Sequence, residues 1–122
     1  MIIKMIQKKW DQVYQGCEGE ANVAEVLQNN HYLLPSHGVA LDLACGLGGN
    51  ALFLADKGLT VKAWDISPVA IKKLEAMAAA KGLELEAAVR DVIAEPPEVN
   101  SVDVLVVSGF LDRGLCPALI AA

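Results

Sequence analysis

Asp42, Asp65 and Asp91 stand within or at the ends of apolar segments, and Gly46, Gly48 and Gly49 follow the first of them. Glycines at this spacing let a backbone turn sharply and come close to a ligand, because they lack a Cβ and tolerate positive φ. A helix opening after such a turn aims its free amides and positive dipole end at the same place. The run Gly46-Leu47-Gly48-Gly49-Asn50-Ala51 fits the dinucleotide fingerprint G-x-G-x-x-G/A, and Asp65, nineteen residues past Gly46, stands about where a ribose-binding acid belongs. That fingerprint leaves Asp42 without work. A carboxylate inside an apolar strand is costly unless it is paired, and a cationic ligand group beyond the strand end would give it a partner.

These residues need elements to hold them. Val39 to Ala44 reads as a buried strand, and Asn50 to Lys57 as a helix of small and apolar residues closed by Gly58. Leu59 to Asp65 is the second strand, with Val61, Ala63 and Asp65 alternating. Ser67-Pro68 starts a helix, an N-cap followed by proline at the first helical position. Ala70, Ile71, Leu74, Met77 and Ala78 form its apolar stripe, and Gly82 ends it. Leu83 to Ala88, with Val89 and Arg90, is the third strand and leads to Asp91; Val102 to Val107 is the fourth; Cys116 to Ala122 begins another helix. Ahead of the sheet, Ile2 to Gln15 and Glu20 to Asn29 read as two helices, followed by a linker from Leu33 to Gly38. Trp10 and Tyr14 lie four apart on one helix face, either as its apolar side or as a cover over a ligand. Alternating strands and helices with short connections predict a parallel sheet with right-handed crossovers.

The residues now resemble a family. L-D-L-A-C-G-L-G-G-N (Leu41 to Asn50) is similar to the first motif of class I S-adenosylmethionine (SAM)-dependent methyltransferases. V-K-A-W-D-I-S (Val61 to Ser67) is similar to the second and A-V-R-D-V (Ala88 to Val92) to the third. W-D-Q-V-Y (Trp10 to Tyr14) resembles the small tellurite-resistance and thiopurine-methyltransferase-like branch. The resemblance implies an α/β, Rossmann-like doubly wound sheet of strand order 3-2-1-4 preceded by N-terminal helices, with the last three strands of the full fold absent. The chain then reads as one SAM-binding domain over 1–122, with a helical segment at 1–35 and an incomplete core at 36–122.

The same resemblance implies the cofactor, SAM, and a place for each part of it. Asp65 would accept from both ribose hydroxyls, a natural task for a carboxylate. Asp91 would accept from the adenine amine, the backbone N–H of Val92 would face a ring nitrogen, and Ile66 would pack on the adenine face. Asp42 would face the methionine ammonium, with the backbone from Ala44 to Gly46 against the methionine. Ser108 stands just past strand four with Phe110, Asp112 and Arg113, the candidates on the substrate side, while Trp10 and Tyr14 would close over the cofactor.

The remaining features exclude other classes. A net charge of −5 with scattered Lys and Arg argues against a nucleic-acid partner and for a small molecule. No apolar run approaches the roughly 18 to 20 residues that span a bilayer, and the start lacks the features of a signal peptide, so a cytoplasmic protein is expected. Cys17, Cys45 and Cys116 share no metal-ligand spacing with each other or with His31 and His37. Cys45 has no histidine or second acid arranged beside it, so covalent catalysis is rejected and no catalytic residue is assigned. Methyl transfer needs in-line placement and exclusion of water instead. Two other functions compete, an NAD-linked oxidoreductase and a non-catalytic SAM-binding fragment completed by a partner. Asp42 and Asp91 separate the first of them, because a nicotinamide reading gives neither one a task. The natural chain is expected to continue past Ala122. Strand four, apolar on both faces, would otherwise show an open edge that favours self-association.

Overall fold

A computed structural model of the chain describes residues 8, 11–13, 15–16, 23–107 and 116–122. Its centre is a four-stranded parallel sheet of β1 (Val39–Leu43), β2 (Thr60–Asp65), β3 (Glu86–Val89) and β4 (Val104–Val107), ordered β3-β2-β1-β4. This is the expected order, with β1 paired to β2 on one side and to β4 on the other. The connections are helical, α2 (Gly49–Asp56) between β1 and β2 and α3 (Pro68–Lys81) between β2 and β3. A one-turn helix, α1 (Glu25–Asn29), and a 3₁₀ turn (His31–Leu33) precede the sheet, and α4 (Cys116–Ala121) follows it.

Successive side chains of a strand point to opposite faces, and the two faces of this sheet bury different sets. Ala40, Val61 and Ala63 pack with Ala51, Leu52 and Leu54 of α2 and with Leu74 and Ala78 of α3. On the other face Leu41, Leu43 and Trp64 pack with Val92. The Arg90 guanidinium lies 3.8 Å from the Trp64 ring centroid, and its nitrogens donate to the carbonyls of Glu95 and Pro96. Arg90 thereby holds the loop after β3 down on this face.

α3 matches its sequence signals at both ends. Ser67 caps it through a bond from the Ala70 N–H, Pro68 opens it, and Gly82 ends it at φ 67°. Ala70, Ile71, Leu74 and Ala78 are buried as expected, while Met77 is only partly so. Three elements are shorter than expected. β3 starts at Glu86 rather than Leu83, because the Leu83 N–H is taken by the Ala78 carbonyl in the closing turn of α3. β4 starts at Val104 rather than Val102, because the Val102 N–H donates to the Ala122 carbonyl. The second N-terminal helix starts at Glu25, where Ala24 turns the chain and its N–H donates to Asn50 Oδ1 at 2.7 Å.

Candidate functional site

The site is assembled at the carboxyl ends of β1, β2 and β3, where parallel α/β sheets bind their ligands. β1 hands over to a turn whose residues sit in the left-handed region, Ala44 at φ 54°, Gly46 at 56° and Gly48 at 82°. For Ala44 that conformation costs on the order of 1 kcal/mol, and the surrounding bonds hold it. The Cys45 N–H donates to the Trp64 carbonyl, the Gly48 N–H to the Cys45 carbonyl, and the Leu52 N–H to the Gly48 carbonyl. A side chain at Gly48 would run into Leu74, whose Cδ1 lies 2.2 Å from the position a Cβ would take. This glycine is therefore fixed by helix packing as well as by its φ.

Asp65 ends β2 and ties the turn together. Its Oδ2 accepts from the Gly46 N–H at 2.8 Å and its Oδ1 from the Ser67 N–H at 2.9 Å. Burial raises its pKa above the ordinary carboxylate range, against the lowering effect of the Ser67, Gly46 and Ile66 amides, and the Asp11 carboxylate raises it further. Asp42 is more deeply enclosed, at 1% exposure, and its Oδ2 has no hydrogen-bond partner among the described residues. Burial pushes its pKa up to about 7, the Ala51 N–H in the first turn of α2 opposes the shift, and the Asp65 carboxylate adds to it. Beside them Cys45 is partly buried, and burial, then Asp42 and Asp65, push its thiol far above the ordinary range. A thiol held neutral in this way is a poor nucleophile.

Asp91 lies two residues beyond β3, with its Oδ1 accepting from the Ile93 N–H at 3.1 Å. Its carboxylate thus shapes the turn that follows. Val92 is buried among Leu41, Leu43 and Trp64, and Ile66 is half-buried between Asp65 and Ser67. Asp42, Ala44, Gly46, Asp65 and Ile66 are therefore gathered at one turn, with Asp91 and Val92 at the end of the neighbouring strand. Trp10, Tyr14, Ser108, Phe110, Asp112 and Arg113 lie outside the described residues.

Two residues reach this site that sequence reasoning did not single out. Asp11, next to Trp10, accepts from the Ser67 hydroxyl and from the Val69 N–H at 3.3 Å, at the N-terminus of α3. Asn50, in the first turn of α2, holds Ala24. Both join the N-terminal segment to the helices that flank the site, and neither bond leaves a local sequence signal. A hollow of about 410 Å³, lined by Val23, Leu52, Phe53 and Leu83 with Asp56 and Lys81, includes none of the three carboxylates. Among the described residues no group of His, Cys, Asp and Glu could hold a metal ion, and no helix is long and apolar enough to cross a membrane.

The fold agrees with what known proteins show. The methyltransferase-domain family matches residues 40–118, which run from the second residue of β1 past the end of β4. The chain is similar to a protein solved for the conversion of a disulfide bond into a thioacetal group during echinomycin biosynthesis, at 29% identity and TM-score 0.78, covering 96% of this chain and 55% of that one. It is similar to TehB from Haemophilus influenzae at 28% identity and TM-score 0.69, covering 80% and 35%. Hemagglutinin 1 of Eikenella corrodens is 41% identical over 83 residues, 66% of this chain and 28% of that protein. The chain thus spans little more than half of the first of these and about a third of the other two. A family match that runs through all four strands and the glycine turn, with a TehB-like fold around them, leads to one assignment. The chain belongs to the methyltransferase-domain family, among the class I SAM-dependent methyltransferases of TehB-like kind.

Proposed function

We propose that the chain binds SAM at the carboxyl ends of β1, β2 and β3, and that the protein transfers its methyl group to a small-molecule acceptor. The observation that carries this reading is the buried Oδ2 of Asp42, without a hydrogen-bond partner among the described residues, beside a turn already bent for close approach. A cationic group brought against that turn, directly or through a water, supplies the missing counter-charge, and the ammonium of SAM is such a group. Asp65, held by the Gly46, Ser67 and Ile66 amides, turns its remaining acceptor capacity to the ribose hydroxyls. Asp91, Val92 and Ile66 take the adenine, and Ala44 to Gly46 the methionine backbone.

When bound, SAM supplies a methyl group already activated on a sulfonium. The chain's own task is then to place the acceptor in line and keep water out. No side chain needs to become a nucleophile. A small acceptor suits the acidic balance of the chain, and the likeness to the echinomycin protein, which acts on a disulfide, supports a sulfur centre. The cytoplasm is the compartment that fits this reading.

Calorimetric titration with SAM, S-adenosylhomocysteine and NAD tests the cofactor. The first two should bind and NAD should not, and Asp65→Ala should weaken SAM by about 1.5 to 3 kcal/mol, the range for a hydrogen bond to a charged group. Unchanged affinity in a folded Asp65→Ala protein would remove the assignment.

We also propose self-association through β4, which among the described residues has a sheet neighbour on one side only. An edge strand presents unpaired amides and carbonyls to any chain able to pair with them. Sedimentation should show concentration-dependent dimers. A monomer at all concentrations would mean that the edge is covered.

A further inference from the structure

Four parts of the chain meet in one run of hydrogen bonds behind the site. The Asp11 carboxylate accepts from the Ser67 hydroxyl and the Val69 N–H. The Ser67 oxygen in turn accepts from the Ala70 N–H at 3.2 Å, while its backbone N–H donates to Asp65 Oδ1. Asp65 Oδ2 then accepts from Gly46 in the glycine turn. Ser67 is fully buried and Asp65 nearly so, so water is not there to replace a missing partner.

A hydroxyl has one proton to give. In this arrangement Ser67 gives it to Asp11, 56 residues away in sequence, and not to a neighbour in its own turn. We propose that Asp11 is a positioning residue for the cofactor's ribose: by pinning Ser67 and Val69 at the start of α3, it fixes the Ser67 backbone N–H that holds Asp65 Oδ1, and so sets how Asp65 meets the sugar. The inference rests on the ribose role of Asp65. It assigns to the N-terminal segment a part in reading the sugar, beyond the aromatic pair on either side of Asp11. Without Asp11 the Ser67 proton must find another acceptor in the same turn, and the start of α3, with the Ser67 N–H that holds Asp65 Oδ1, is free to shift.

A role in sugar recognition and a role in holding the fold predict different results. The affinities of S-adenosylhomocysteine and of its 2′-deoxyribose analogue are measured by calorimetry on the parent chain, Asp11→Ala, Asp11→Asn and Ser67→Ala, each with a urea midpoint. Asp11→Ala should bind S-adenosylhomocysteine roughly tenfold more weakly and the deoxy analogue less than about twofold more weakly, the signature of coupled groups. Asp11→Asn, which keeps an acceptor oxygen, should recover most of the loss, and Ser67→Ala should reproduce it even if Asp11→Ala fails to fold. Equal losses on both ligands, or none, would overturn the proposal while leaving the ribose assignment standing. A parent chain with no preference for the ribose hydroxyl would overturn both.

Discussion

Asp42→Asn should make the ligand-free chain more stable near pH 8 and, in the same protein, weaken the binding of SAM. The two effects have one cause, an ionised carboxylate kept in an enclosed place with one oxygen unpartnered among the described residues. Its pKa stands at about 7 in the folded chain against 3.8 as the ordinary value. Between those values the folded chain holds a proton that the unfolded chain has released. Stability therefore falls as pH rises from about 4 to about 7 and levels off above, a span on the order of 4 kcal/mol. Asparagine removes that slope. Its NH₂ must itself be accommodated, so the net gain near pH 8 is about 1 to 3 kcal/mol, and it vanishes near pH 4 where Asp42 is protonated. Urea unfolding at the two pH values measures it, and an equal difference at both would show that Asp42 does not titrate in this window. Binding runs the other way. SAM needs the ionised form, so its affinity for the parent chain should drop up to about tenfold per pH unit below 7, while the Asp42→Asn affinity is weaker and flat over the same range.

Gly48→Ala should be the most damaging single-carbon change in the site. The alanine must adopt φ 82°, and its Cβ must displace Leu74, which meets it with Cδ1 at 2.2 Å, Cδ2 at 2.8 Å and Cγ at 2.9 Å. Leu74 is fully buried on the face of α3 that packs against the sheet, so its displacement disturbs the core. The backbone term of about 1 to 2 kcal/mol and the overpacking term of about 1 to 3 kcal/mol act together, so a loss of about 3 kcal/mol or more is expected. Thermal unfolding of Gly48→Ala, Leu74→Ala and the double variant separates the terms. If the collision is real, the double variant loses less than the sum of the single ones by at least about 1 kcal/mol, and strict additivity would mean that it is not.

The elements whose signals are local were legible in the sequence. Ser67-Pro68 and Gly82 mark both ends of α3 because caps act on amides and carbonyls within one turn, and the strand order followed from the family motifs quoted on Asp42, Asp65 and Asp91. What escaped reading depends on distant partners. Glu20 to Asn29 has helical spacing, yet Ala24 gives its N–H to Asn50 and the helix begins after it. Leu83 to Leu85 has strand composition, yet Leu83 is spent on closing α3. In W-D-Q-V-Y the aromatic residues drew attention, while Asp11 makes the described bonds to α3. An acid that caps a helix from the far end of the chain looks, in sequence, like any solvated residue.

The position of β4 has a consequence for how the chain reaches this fold. β1, α2 and β2 are consecutive, and their contacts close loops of some twenty residues, as in the pairing of Val39 with Thr60. β4 joins the opposite side of β1 only by closing a loop of 64 residues, fastened by Val39 and Asp103 through the bond from the Val39 N–H to Asp103 Oδ2 and the one from the Asp103 N–H to the Val39 carbonyl. Loop-closure entropy delays such pairings, and parallel sheets built from them fold slowly. The half of the sheet that carries Asp42, Asp65 and the glycine turn can therefore form before β4 arrives, so mutations at the β1–β4 seam should speed unfolding more than they slow refolding.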